Sequence, residues 1–287
     1  MNLKTPHEIV EPLLSWGLPQ LRDLPWRNSR DRWSVLVSEV MLQQTQVSRV
    51  VPKYQEFIAS YPTPAVCAAA PLADLLRLWN GLGYPRRCKN LHDAAKTVVD
   101  QHDGRVPGTL DELLGLPGVG PYTARAVLAF ADSADVAVVD TNVARVLARV
   151  TNTPLSARDS QTLADALQPR GLAWEWNQVV MDFGAQICVA RQPKCEKCPV
   201  IDSCKWSDGQ DPARLSALTS KPQARFAGSD RQARGRLMKA LAERGVQRDN
   251  VARVMGVATD EARAMRLIES LVRDGLVVVE DGICRLA

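Results

Sequence analysis

The stretch Cys188-Val189-Ala190-Arg191-Gln192-Pro193-Lys194-Cys195-Glu196-Lys197-Cys198-Pro199-Val200-Ile201-Asp202-Ser203-Cys204 places four thiols in seventeen residues, with the spacing C-x6-C-x2-C-x5-C. Four thiolates this close in sequence can close around one metal centre. The other three of the seven cysteines, Cys67, Cys88 and Cys284, are scattered and read as small buried hydrophobes. Zinc sites usually pair their cysteines in two close couples separated by a longer loop. Here only Cys195 and Cys198 form such a couple, and the outer spacings suit the wider corners of a [4Fe–4S] cubane, with zinc as the alternative. Lys194, Lys197, Lys205 and Arg191 lie among the thiols and can offset their charge or face a phosphate backbone.

The rest of the chain is patterned for helices. Trp33, Leu36, Val37, Val40 and Met41 form one apolar stripe. Leu72, Leu75, Leu76 and Trp79 form a second, and Val143, Val146, Leu147 and Val150 a third. Val136–Val139 is too brief for a sheet and reads as an extended connector. No apolar run approaches the ~20 residues that span a bilayer. Met1–Gly17 mixes Lys4, His7, Glu8 and Glu11 with its apolar residues, which argues against a secretory signal. The expectation is an intracellular protein with reduced thiols. With 287 residues and 46% hydrophobic composition, the chain can build a large core.

A net charge of +4 is weak support for a nucleic-acid partner. The run Arg86-Arg87-Cys88-Lys89 reads as a solvated face, with phosphate contact as the alternative. Leu113-Leu114-Gly115-Leu116-Pro117-Gly118-Val119-Gly120 is more specific. Its glycines let backbone N–H groups approach a phosphate, and the helix starting near Tyr122 adds its positive end. This is a helix-hairpin-helix, which grips the DNA backbone without reading sequence.

Asp208–Pro212 and Ser220–Gln223 read as linker in a boundary near 208–228, which sets the linker at 209–228. Beyond it, helices are expected at about 229–244, 247–256 and 259–274. Leu276–Val279 and Ile283–Leu286 flank Asp281-Gly282 as a β-hairpin. Three helices and a hairpin is the order of a winged-helix module, expected at 229–287.

The hairpin, the acid Asp140 downstream and the four-cysteine spacing together resemble the helix-hairpin-helix DNA glycosylases of the endonuclease III superfamily, over roughly residues 20–208. Pro25-Trp26-Arg27, Ser38–Gln46 and Gly81-Leu82-Gly83-Tyr84 are similar to the adenine DNA glycosylases of the MutY type. The resemblance implies an all-α, two-lobed fold: an iron–sulfur lobe from 1–22 and 133–208, and a six-helix lobe from 23–132 with the helix-hairpin-helix at 113–125.

It also implies an enzyme that flips out adenine mispaired with 8-oxoguanine or guanine and hydrolyses its glycosidic bond. Bifunctional relatives carry a nucleophilic lysine two residues after the last hairpin glycine, where this chain has Tyr122. A monofunctional glycosylase without strong lyase activity is therefore expected. Glu39 is implied as general acid on the departing base, Asp140 as stabiliser of the sugar cation, and Asn142 and Tyr122 as supports. Gln44 and Tyr84 are implied as intercalating wedges, with Leu42 beside them, Gly118 and Gly120 on the phosphates, and Arg27 and Gln178 at the base pocket. For Gln178 an ordinary helix-surface amide stays open.

The family's second aromatic after Tyr84 is Pro85 here, and the tail is too short and too helical for the family's Nudix-like domain. The expected partner is duplex DNA, with no membrane, acted on by a monomer in a bacterial-type, nucleoid-containing cytoplasm. A thymine or uracil mismatch glycosylase and a non-catalytic iron–sulfur DNA-binding regulator are the competing readings.

Overall fold

The computed structural model describes residues 7–206, 209–219 and 225–287. Its helices in chain order are α1 (Val10–Gly17), α2 (Arg32–Leu42), α3 (Val47–Ser60), α4 (Pro64–Ala69), α5 (Leu72–Trp79), α6 (Arg86–Gln101) and α7 (Leu110–Leu114). They continue with α8 (Pro121–Ala131), α9 (Thr141–Thr151), α10 (Ala157–Leu167), α11 (Ala173–Gln186), α12 (Asp230–Glu243), α13 (Val251–Met255) and α14 (Glu261–Arg273). Three short strands, β1 (Val246–Gln247), β2 (Val277–Glu280) and β3 (Ile283–Leu286), accompany the last helices. No described helix is long and apolar enough to cross a membrane.

The described residues form two compact units: those within 1–35, 108–110 and 120–222, and those within 36–107, 111–119 and 223–287. In the first unit, the predicted stripe Val143, Val146, Leu147 and Val150 of α9 is fully buried. It packs into one core with Leu13 of α1 and with Val179, Val180 and Phe183 of α11. A Cβ at Gly17 would lie 2.5 Å from Val179, so α1 and α11 approach as closely as a missing side chain allows. Val136–Val139 is an extended connector, as its length suggested, and Ala137 and Val138 are buried along it. Of the residues read as linker, Asp208 and Ser220–Gln223 lie outside the described residues. Pro212–Leu215 makes a 3-10 turn whose Ala213 enters the core of the first unit.

In the second unit, α4 and α5 pack on α6. The C-terminal helices and strands add a winged-helix arrangement with sheet order β1-β3-β2. The hairpin falls where the β-branched runs placed it, with Val277 opposite Leu286. Asp281 and Gly282 both take positive φ (50° and 73°), the backbone that an Asp-Gly two-residue turn supplies. Sequence reasoning missed β1, and the helix it expected at about 247–256 is shorter: Gln247 lies in β1, Arg248–Asn250 form a 3-10 turn, and α13 holds only Val251–Met255. β1 is two residues long, too short to show an alternation, and exists because Val246 pairs with Cys284 of β3.

Candidate active site and thiol cavity

Asp140 ends the extended connector and starts α9. One carboxylate oxygen accepts from the backbone N–H groups of Asn142 (2.8 Å) and Val143 (2.7 Å), a helix cap. The other accepts from the Asn142 side-chain amide at 2.7 Å. The cap and the Asn142 side-chain contact therefore coexist on one carboxylate. Burial pushes the Asp140 carboxyl above the ordinary aspartate range, although these bonds and the charge of Arg145 pull the other way.

Asn142 is held in turn. Its carbonyl oxygen accepts from Arg145 Nη2 at 2.8 Å, and the same nitrogen donates to the Gly184 carbonyl at 2.6 Å. Arg145 Nε reaches the Cys188 carbonyl at 2.8 Å. A Cβ at Gly184 would lie 2.8 Å from Asn142 Cβ, so α11 closes directly on the start of α9. One turn further along α9, Arg149 is 1% exposed. It pairs with Asp211 (2.7 Å), donates to the Cys188 sulfur (3.4 Å) and the Val189 carbonyl (2.8 Å), and stacks on Trp206. Arg145 and Arg149 were missed by sequence reading. Their signal was available: two arginines at i and i+4, separated by the apolar Val146, Leu147 and Ala148.

Cys188, Cys195, Cys198 and Cys204 line one small cavity with Arg149, Phe183, Val200 and Trp206. Among the described residues, no three Cys, His, Asp or Glu side chains converge closely enough to hold a single ion. Burial raises the thiols of Cys188, Cys198 and Cys204, that of Cys198 to about 11, while Arg149 pulls Cys188 and Cys204 back down.

Also in the first unit are Tyr122, half-buried in the first turn of α8, and Arg27 and Gln178. Gln178 is 5% exposed, so the helix-surface alternative fails: α11 turns this amide inward. Arg27 donates to both oxygens of Asp182 (2.9 and 2.8 Å) and to the Arg22 carbonyl. Asp182, unforeseen in the sequence, also binds Arg22. Burial pushes its carboxyl up, but the two arginines outweigh that and hold it below the ordinary value.

The second unit holds Glu39, Leu42, Gln44, Tyr84 and Gly118. Glu39 lies in α2 and is 4% exposed, a buried acid rather than a surface one. Gln44 and Tyr84 both adopt left-handed backbone conformations (φ 55° and 48°), uncommon for residues other than glycine. Such strain survives where surrounding contacts fix it. Arg87 supplies them. Its guanidinium donates to the carbonyls of Val40 (2.7 Å), Met41 (2.9 Å), Leu82 and Gly83 (3.1 Å each), and to Thr45 Oγ1 (3.0 Å). It also lies 5.5 Å from the ring centres of Trp79 and Tyr84. One buried cation thus joins the end of α2, the turn carrying Gln44 and the turn carrying Tyr84.

This corrects the reading of Arg86–Lys89 as a solvated run: only Arg86 is exposed, and Lys89 pairs with Asp93. Gly118 takes φ 77°, and a Cβ there would sit 2.6 Å from Asn90. Gly120 caps α8 in extended conformation.

The model of the HhH-GPD superfamily of base excision DNA repair proteins matches residues 37–169. A structure titled as a thermostable thymine-DNA glycosylase superposes with a TM-score of 0.66 at 31% identity, covering 70% of this chain and 96% of that one. An endonuclease III–DNA complex superposes with a TM-score of 0.63 at 26% identity, over the same shares. Fold and hairpin define a helix-hairpin-helix base-excision repair protein. The adenine DNA glycosylase of Mycolicibacterium smegmatis is 43% identical over 270 residues, which cover 92% of this chain and 91% of that protein. The human adenine DNA glycosylase is 39% identical over 72% of this chain and 41% of its own length. The chain belongs to the adenine DNA glycosylase family.

Proposed function

We propose that the protein removes adenine mispaired with 8-oxoguanine or guanine from duplex DNA, hydrolysing the glycosidic bond without cutting the strand. The observation that carries this reading is the Asp140–Asn142 arrangement at the start of α9, in a chain 43% identical to a protein named for adenine excision. Expelling adenine makes the sugar cation-like and the base a poor anion. Asp140 supplies the negative charge that the sugar needs, and Asn142 fixes the direction of that carboxylate. Glu39 supplies the proton to N7 of the leaving base, a task for which a buried acid is suited. Tyr122 stands where a lysine would give strand cleavage, so the reaction stops at the abasic sugar.

Flipping the adenine costs roughly a few kcal/mol of lost stacking. Gln44 and Tyr84 fill the gap, Leu42 lies beside them, and Gly118 and Gly120 bring backbone N–H groups to the phosphates. Arg27 and Gln178 support the base pocket. The protein acts as a monomer in the nucleoid-containing compartment.

Cys188, Cys195, Cys198 and Cys204 would hold a [4Fe–4S] cluster. The support is that four thiols border one cavity, with Arg149 donating to the Cys188 sulfur and Arg145 to the Cys188 carbonyl. When bound, the cluster supplies cross-linking of the chain around residues 188–204 rather than chemistry on the base.

The likeness to the thymine-DNA glycosylase structure favours pyrimidine mispairs as the second reading. Excision from duplexes carrying 8-oxoG·A, G·A, G·T or G·U separates the two. Adenine release from the first pair of substrates, with no borohydride-trapped complex, is expected. Pyrimidine release alone would replace the proposal, and tight binding without any base release would make the protein a regulator.

A further inference from the structure

The winged-helix module touches the turn that carries Tyr84. Arg231, in the first turn of α12, donates to the Tyr84 hydroxyl at 3.0 Å. Its guanidinium also lies 5.1 Å from the ring centre of Phe226, which restricts the arginine's own freedom. The contact is part of a built junction within one compact unit. α12 packs on α5, Arg234 pairs with Asp274 (2.7 Å), Arg86 lies 3.6 Å from the same carboxylate, and Gly275 sits over the Lys89 side chain. The phenol is thus gripped at two ends by cations, Arg87 over the ring and Arg231 on the oxygen. Its backbone meanwhile occupies a conformation that costs energy (φ 48°).

A side chain that enters a base stack must arrive in one direction, and a phenol hinged at Cβ can otherwise swing. We propose that Arg231 is a positioning residue for Tyr84, and that through this bond the C-terminal module sets the direction of the wedge at the mispair. The inference rests on the reading of Tyr84 as an intercalating residue. It gives the module a place in lesion engagement, acting through the protein's own tyrosine rather than by grasping the DNA.

The test is a double-mutant cycle on the full-length, cluster-loaded enzyme. Arg231→Ala, Tyr84→Phe and the double variant are compared on a duplex containing 8-oxoG·A with 2-aminopurine beside the 8-oxoguanine, whose fluorescence reports unstacking. Each single change should lower the single-turnover rate and the fluorescence rise by about tenfold, and the double change should lower them no further. Arg231→Lys, which keeps a donor, should recover most of the loss and guards against a folding artefact. Losses that multiply in the double variant, or an Arg231→Ala enzyme as active as wild type, would overturn the inference while leaving adenine excision standing. A wild-type enzyme that releases no adenine from any duplex would overturn the reading beneath it as well.

Discussion

Asp140 is asked to do two things with one carboxylate. It caps α9 through Asn142 and Val143, and it is the negative charge proposed to face a sugar cation. Replacing it by Asn keeps a cap acceptor but removes the charge. Asp140→Asn is expected to fold, bind duplex DNA and release no measurable adenine. Glu39→Gln should lose about 10²–10⁴-fold in excision rate, the usual share of a general acid. Full activity in either variant under single-turnover conditions would remove that residue from the mechanism.

The direction of the Asp140 shift gives a pH prediction. Its folded value lies above that of a free aspartate, so the carboxylate is lost earlier as pH falls. The acid limb of the single-turnover rate profile should therefore lie above the ordinary aspartate range. A limb at or below that range would mean that another group sets it.

Two elements carry the site's geometry through close contacts. α11 approaches α9 at Gly184, where a Cβ would meet Asn142 Cβ at 2.8 Å and its carbonyl oxygen at 3.1 Å. Neither helix has a slack side chain there to give way. Gly184→Ala should gain up to about 1 kcal/mol of helix propensity yet push Asn142 off line. The expected outcome is a thermal midpoint that changes little and an excision rate down by about 10- to 100-fold, because small misplacements of reacting groups are costly. An unchanged rate would mean that α9 and α11 separate freely.

α6 contributes the other fastening. Arg87 is buried against carbonyls and rings, and burial lowers its pKa only to about 10, so it stays charged at neutral pH. Arg87→Met fills the volume but abandons five oxygen acceptors. It should loosen the turns of Gln44 and Tyr84 and weaken binding to a mispaired duplex by at least tenfold, on the order of one charged hydrogen bond. Binding by fluorescence anisotropy checks this, and wild-type affinity would show that the turns hold themselves.

At the scale of the whole molecule, the thiol cavity makes a prediction about composition. Protein purified without oxygen should carry about four iron atoms and as much acid-labile sulfide per chain, and little zinc. Metal analysis reading one zinc and no sulfide would replace the cluster by a single ion. The winged-helix module belongs to the unit that also holds α3–α6, and Arg231 reaches the turn that bears Tyr84. The module is packed against α5 and the Tyr84 turn rather than held as a free appendage.

Much of this was legible without coordinates. The stripe on α9, the hairpin glycines, the Asp-Gly turn between β2 and β3 and the four-cysteine spacing all follow from local rules: helical period, positive φ and ligand chemistry. Each depends on residues a few positions apart, so the linear order contains it. The other contacts needed the fold. Arg27 finds Asp182 at a separation of 155 residues, Arg231 finds Tyr84 at 147, and Arg145 reaches the Cys188 carbonyl at 43. A basic run that reads as solvated hides a buried Arg87 because burial is set by what packs above a helix, not by the helix itself. The chain alone supplied the groups proposed for the chemistry. Tertiary packing decided what holds them, since the partners of a buried charge are chosen by proximity in space and leave no local mark.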